Sequence, residues 1–309
     1  MKLCAATEAA ILKAAAALRQ GKLVVMPTET VYGLAADATN PDAIRKVFEA
    51  KGRPAENPLI VHVADLGQVM GVAAHVPEAA AKLIKRFWPG PLTLVLPKHP
   101  EIPAEVTAGL DTVGVRMPAH PVALDLIRAA GLPLAAPSAN RFMRLSPTKA
   151  ENIDPELAEK VAMILDGGPC YIGLESTVVD CTEDVPRILR PGGVTRADIQ
   201  SALGYPLGEL PLGGARKSPG MYRRHYAPRT PLSVVDALEE GQAGLVVGPA
   251  RSEHQISMPN DARAYASSLY DMLHRLDGMG LDAIYVQRPP SGPEWEAVHD
   301  RLKKAGARD

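Results

Sequence analysis

The stretch LAAPSAN at 134–140 decides the fold. Its apolar half reads as a strand, and the strand runs directly into Pro137, Ser138, Ala139 and Asn140. A hydroxyl and a carboxamide therefore stand at a strand end, where open α/β sheets hold their ligands. Upstream, KGRP at 51–54 sets Lys51 and Arg53 about a glycine, just after a helical run that ends at Phe48. A lysine offers phosphate oxygens a point charge and an arginine offers them a planar fork. Small polar groups facing paired cations fit a nucleoside triphosphate held without a glycine-rich loop. Each segment alone is short and made of common residue types, and alone it reads as an exposed helix end or an ordinary proline turn.

A chain of 309 residues builds one large domain or two smaller ones, each with its own core. Its 34 basic and 35 acidic residues nearly cancel, so no overall field draws it to nucleic acid or a membrane surface. Cys4, Cys170 and Cys181 form no CxxC pair and leave one thiol odd, which argues for a reducing cytosol and against a disulfide scaffold or structural zinc. The eight histidines are scattered, with no HExxH spacing. Residues 1–20 read as one alanine-rich amphipathic helix stopped by Gly21, without a basic-then-apolar leader. No apolar run approaches a membrane span, so a cytoplasmic protein with no membrane attachment is expected.

Strands are expected at 23–26, 58–63, 92–96, 113–117, 132–136, 162–166, 176–180 and 186–189, and helices at 41–50, 77–87, 121–130 and 195–203. Pro41 suits a helix start, and Ile44, Val47 and Phe48 share one helical face. Strands often follow one another without an intervening helix, so the expected sheet is mixed rather than wholly parallel. Further strands at 232–236, 244–248 and 283–287, with helices at 261–277 and from 293 onward, make a second, small α/β unit that has no GxGxxG.

Between the two units, glycines, prolines and turn residues crowd 205–231 around Pro206, Gly213, Gly214, Pro219 and Gly220, which excludes a core element. The segment carries Arg216, Lys217, Arg223, Arg224 and Arg229, with no acid from Leu210 to Val235. A solvated spacer has such a composition too. Met221, Tyr222, His225 and Tyr226 are specific side chains for a spacer, however, and a linker this long in a compact protein is either disordered or functional. Those side chains favour function.

No Ser-His-Asp or Cys-His arrangement is legible, and no carboxylate pair stands out. What recurs is hydroxyls, glycines and arginines beside apolar strands. PTETVYGL occupies 27–34, Thr112 and Arg116 bracket 113–115, Glu175-Ser176-Thr177 opens a strand, and Arg190 with Gly192 and Gly193 closes one. Singly, a strand-end arginine is a surface ion-pairing group and a threonine is a turn former. Jointly they fit an anionic nucleotide plus a small polar substrate. His62, in PLIVHV, reads either as a packed core histidine or as a group facing the same cavity as Arg53. FWPGPLT at 87–93 reads as an aromatic anchor and a rigid turn feeding a strand.

In order along the chain stand PTETVYGL, KGRP followed by NPL and HV, FWPGPLTLVL, VRMPAHP, PLAAPSAN, SPT, DGG, GLESTVVD and ILRPGG. Over residues 8–204 this series resembles the threonylcarbamoyl-AMP synthases of the YrdC superfamily. SPGMYRRHYAP and the last unit are similar to the longer, two-domain branch. The resemblance implies an α/β fold: a twisted open mixed sheet (YrdC-like) at 1–206, a linker or lid at 207–230, and a second, smaller Rossmann-like α/β domain at 231–309. It implies an enzyme that joins L-threonine, bicarbonate and ATP into threonylcarbamoyl-AMP with release of pyrophosphate. Mg²⁺ would accompany ATP, and a tRNA threonylcarbamoyl-transferase complex would take the product.

By motif, Lys51, Arg53, Ser138 and Asn140 correspond to the family's catalytic Lys-x-Arg and Ser-x-Asn set, and as cations at a helix end the first two are expected to be exposed. The implied ATP site adds Asn57, Thr112, Ser146, Arg190 and, from the linker, Tyr226. The implied threonine site comprises Thr30, His62, Arg116, the Ala136 backbone and Ser176, and no protein side chain ligates a metal. Where the family has a small Ser-Gly pair this sequence has Phe142-Met143, so a different backbone course is expected before Ser146. Other members of the superfamily resemble double-stranded RNA binders or ribosome-maturation proteins. Balanced charge and the threonine-type residues weigh against that role and leave room for a weak RNA contact only. Carbamoyl transfer in hydrogenase maturation would require zinc-finger-like and acylphosphatase-like modules, which this sequence does not contain.

Overall fold

The structure is a computed structural model that describes residues 2–209, 220 and 222–307. Ten strands build the first sheet: β1 (Leu3–Ala5), β2 (Val24–Met26), β3 (Gly33–Asp37), β4 (Ile60–His62), β5 (Leu92–Pro97), β6 (Thr112–Arg116), β7 (Leu134–Ala135), β8 (Met163–Asp166), β9 (Thr177–Asp180) and β10 (Arg187–Arg190). They lie in the order β1-β8-β2-β3-β7-β4-β6-β5-β9-β10. β1 with β8, β2 with β8, β4 with β6 and β5 with β9 run parallel, and the other five neighbours run antiparallel. The sheet is mixed, as the adjacency of its strands implies.

Helices cover both faces. α1 (Glu8–Arg19), α2 (Pro41–Lys51), α3 (Leu66–Val72), α4 (Glu78–Phe87), α5 (Ala104–Thr107), α6 (Pro121–Ala130), α7 (Pro155–Glu159) and α8 (Arg196–Leu203) belong to this domain. Alternation along a strand sends successive side chains to opposite faces. Val25 accordingly packs in one core with Ile44, Val47 and Leu83, while Val24 and Met26 pack in another with Leu18, Leu126 and Ile127. A strand buried on both sides must be apolar throughout, which is why VVM carries no alternation. Thr195 caps α8 in a reciprocal box with Asp198.

The first twenty residues do not form a single helix. Leu3–Ala5 is an edge strand that pairs with β8, and Thr7 caps α1 by accepting from the Ala10 N–H. The extended start wins because β8 offers backbone partners and Thr7 stops the helix from growing backwards. The strand Gly33–Asp37 carries little β-propensity in its sequence and forms because β2 and β7 flank it on both sides.

The second sheet orders β11 (Leu232–Val235), β12 (Gly244–Val247), β13 (Gln255–Met258) and β14 (Ile284–Gln287) as β11-β14-β12-β13, with every pair parallel. α9 (Ala262–Asp277) and α10 (Glu296–Ala305) pack on it through Tyr265, Leu269, Leu273, Val298 and Leu302.

Close backbone approach ties the β10 loop to the start of β9. A side-chain carbon at Gly192 would lie 2.3 Å from the Glu175 carbonyl and 2.4 Å from the Thr177 nitrogen. Gly192→Ala is therefore expected to destabilise the protein by about 1–3 kcal/mol through overpacking. Urea unfolding checks this, and an unchanged midpoint would show that the two segments are not in contact.

Candidate active site

Strand ends converge on one cavity. Thr28 and Thr30 follow β2, His62 ends β4, Arg116 ends β6, and Ala136 and Ser138 follow β7. Ser176 precedes β9 and Arg190 ends β10. Arg53, Glu175, Gly220, His225 and Tyr226 complete the wall. Parallel register places His62 beside Arg116, and a bridge from Gly33 to Ser138 holds the PSAN turn against the start of β3.

The two cations of KGRP are not exposed. Gly52 adopts the left-handed conformation (φ 60°) that closes α2, and the chain then turns inward. Lys51 and Arg53 are only 2 % and 7 % exposed. Lys51 Nζ donates to the carbonyls of Ser138 and Asn140, so it fastens PSAN from behind instead of lining the cavity. Arg53 lines the cavity while its Nη2 donates to the carbonyls of Asn57 (3.1 Å) and Pro58 (2.8 Å). Desolvation, and then the charge of Arg53, depresses the Lys51 pKa. Burial lowers that of Arg53 to about 9, which leaves it charged at neutral pH.

Arg116 is oriented from behind by a residue without a sequence-level role. Glu29, fully buried, meets Arg116 Nη2 at 2.6 Å, while Nη1 donates to Thr30 Oγ1 (2.9 Å) and Nε to the Gly90 carbonyl (3.2 Å). Arg190 donates through Nε and Nη2 to the Ser176 carbonyl at 3.1 and 3.0 Å, and Ser176 Oγ lies 2.7 Å from Thr93 Oγ1. Desolvation, with Arg116 adding for His62, pushes the pKa values of His62 and His225 down to about 3, so both rings are neutral at physiological pH. His62 Nδ1 and the Tyr226 hydroxyl have no hydrogen-bond partner among the described residues, although both side chains are buried and line the cavity. Buried polar groups are normally satisfied, so unpartnered ones at a cavity wall mark where a ligand bonds.

Besides Lys51, four expected ATP-site residues stand outside the cavity lining. Asn57 is buried outside the cavity lining. Thr112 begins β6 whereas Arg116 ends it, four strand steps of about 3.3 Å apart, and only Arg116 lines the cavity. Asn140 donates to the carbonyls of Arg141 (2.7 Å) and Arg144 (3.0 Å) and borders a second cleft, against the C-terminal domain. Ser146 is buried one layer back, donating to Glu175 Oε1 at 2.5 Å. Before Ser146, Met143 adopts a left-handed φ of 67°. Phe142 packs edge-on against Tyr222 and His225, so the bulky pair is part of the linker's seat.

The expectations for Gly213, Gly214, Arg216, Lys217, Pro219 and Met221 lie outside the described residues. Sequence reasoning gave no role to Glu29, Glu175, Tyr270 or Arg301, and named His225 only as part of a functional linker. The available signal was an acid embedded in each of two strand-end motifs, TET and LEST, with no neighbouring cation to solvate it.

A large mixed sheet joined to a small parallel one, with cations and hydroxyls gathered at strand ends, defines a ligand-binding α/β enzyme. Residues 16–192 match the family model described as telomere recombination, which covers the Sua5, YciO and YrdC group. Residues 194–307 match that of the threonylcarbamoyl-AMP synthase C-terminal domain. The chain is 44 % identical to the threonylcarbamoyl-AMP synthase of Bacillus subtilis, across 96 % of this chain and 92 % of that one. It is 42 % identical to the Pyrococcus abyssi synthase, across 94 % and 92 %. The crystal structure of P. abyssi Sua5 complexed with L-threonine superimposes with a TM-score of 0.89 at 41 % identity, covering 97 % of this chain and 95 % of that one. The protein belongs to the threonylcarbamoyl-AMP synthase family, in its two-domain branch, and is an enzyme of the nucleotidyltransferase type. No helix among the described residues is long and apolar enough to cross a membrane.

Proposed function

We propose that this enzyme condenses L-threonine, bicarbonate and ATP into threonylcarbamoyl-AMP and pyrophosphate in the cytoplasm, and that a separate complex transfers the threonylcarbamoyl group to tRNA. The observation that carries this reading is the joining of two cations, Arg53 and Arg190, with Thr30, His62, Arg116 and Ser176 in one wall. The first pair suits a triphosphate and the second set an amino acid.

The threonine amine combines with bicarbonate to give a carbamate and water. A carbamate oxygen then attacks the α-phosphorus and pyrophosphate leaves in line. Such a step needs alignment and charge neutralisation more than proton transfer, which accounts for a site built of cations and hydroxyls. Arg116, held by Glu29 and Gly90, presents a fixed guanidinium to the threonine carboxylate, and Thr30 and Ser176 meet its polar groups. His62 bonds as a neutral ring and adds no charge. Arg53 and Arg190 offset the charge that develops on the leaving phosphates. Lys51 acts through the PSAN backbone that it grips. Carbamates revert in water, so Tyr226 and His225 serve as cover.

The described residues hold no cluster of three or more His, Cys, Asp or Glu suited to a metal, and Glu29 and Glu175 are committed to arginines. Mg²⁺ in this reading would accompany the triphosphate and supply further charge neutralisation.

Pyrophosphate release, measured with threonine and bicarbonate supplied or withheld in turn, tests the reading. Release is expected to require both, and release indifferent to bicarbonate would refute it. Serine should replace threonine with a loss of roughly 10–200-fold in kcat/KM, the worth of one methyl contact. Equal use of the two amino acids would show that the pocket does not pack the methyl group.

A further inference from the structure

Glu175 stands in the cavity wall, buried, where a carboxylate would repel an incoming anion. Its partners explain why it is tolerated. Ser146 donates to Oε1, while the Tyr270 hydroxyl (3.1 Å) and Arg301 Nε (2.8 Å) donate to Oε2. Burial by itself would raise the carboxyl pKa, but Arg301 and Arg190 outweigh it and hold the value at about 2. Tyr270 lies on α9 and Arg301 on α10, so two of the three donors come from the C-terminal domain.

Arg301 also reaches the linker. Its side chain is wholly buried, and the guanidinium carbon lies 4.9 Å from the centre of the Tyr226 ring. Three residues further along α10, the Lys304 carbonyl accepts the His225 N–H at 3.2 Å. One helix turn thus grips two consecutive linker residues and the carboxylate behind them.

We propose that Arg301 is a positioning residue of the synthase site, which neutralises Glu175 so that nucleotide affinity depends on docking of the C-terminal domain. This rests on the reading that the cavity takes ATP. Removing the cation alone leaves a buried carboxylate facing a triphosphate, whereas removing cation and carboxylate together restores the balance. A brace that acted by packing only would show no such dependence on the charge at position 175.

ATP dissociation constants are measured by calorimetric titration, with threonine present, on the full-length wild type, Arg301→Met and Glu175→Gln/Arg301→Met, and pyrophosphate release is recorded on the same preparations. Arg301→Met is expected to weaken ATP binding by roughly tenfold or more, and the double variant to return to within about threefold of wild type. Wild-type affinity in Arg301→Met, or a double variant no better than the single one, overturns the proposal. Should Arg301→Met fail to fold, the double variant decides alone: affinity within about threefold supports the role and a tenfold loss overturns it. A wild type that binds ATP yet releases no pyrophosphate removes the synthase reading and leaves the affinity test standing. Absence of ATP binding by the wild type overturns both.

Discussion

An Arg53→Met protein is expected to release pyrophosphate about 10²–10³-fold more slowly than wild type, the usual consequence of removing one preorganised group aimed at developing charge. Arg53 is the cavity cation whose fork is held rigid by the Asn57 and Pro58 carbonyls, so no flexible side chain has to be ordered when phosphate arrives. The substitution also has a structural effect. Those carbonyls lose a donor in a buried setting, which costs about 1–3 kcal/mol of stability. Methionine fills the volume and keeps that loss from becoming a cavity. Turnover and urea unfolding must therefore be measured together. A folded variant with wild-type turnover would remove Arg53 from the chemistry.

Deletion of 207–309 should be comparably severe. The ten strands of the first sheet are complete by Arg190, so the truncated protein is expected to fold. It loses Tyr226 and His225 from the cavity wall, and Glu175 loses the Tyr270 hydroxyl and its Arg301 partner. Misplacement of a wall by even 1 Å can lower a rate by about 10²-fold, and here the wall is absent, so a loss beyond that is expected. Within the full chain, Tyr226→Ala should reproduce part of the loss and also destabilise the protein by about 3–5 kcal/mol, since the ring is fully buried. Tyr226→Phe keeps the packing and isolates the hydroxyl, which has no protein partner among the described residues. With threonine and ATP both bound, the segment around Arg223 and Arg224 should also resist trypsin. A truncated domain as active as the whole protein would reduce the linker to a spacer.

Much of this architecture is legible in the sequence, because the strands of a sheet covered on both faces are short apolar runs and the motifs sit at their ends. Thr30, His62, Arg116, Ser138, Ser176 and Arg190 can be placed together for that reason, since each adjoins a recognisable strand. The burial of Lys51 and Arg53 cannot be read in the same way. Local pattern sees only a helix end, and the inward turn depends on a left-handed Gly52 and on carbonyls 87 and 89 residues away. The edge strand at Leu3–Ala5 depends on β8, far along the chain. Glu29 and Glu175 escape because their arginines are remote in sequence, and charge pairing across a fold leaves no local periodicity. Thr112 lies outside the cavity lining for a simpler reason: a motif places it near Arg116 in sequence, but four steps along an extended strand separate them.

The Glu175–Arg301 pair spans 126 residues, and that span is also an interval of time. At about 5–20 residues per second, a ribosome needs roughly 6–25 s to travel from one partner to the other. From Arg190 onward the first domain has every strand it needs, while Glu175 still lacks its cation and the cavity its cover. If docking of α10 sets nucleotide affinity as proposed, unfinished copies are expected neither to retain nor to consume ATP.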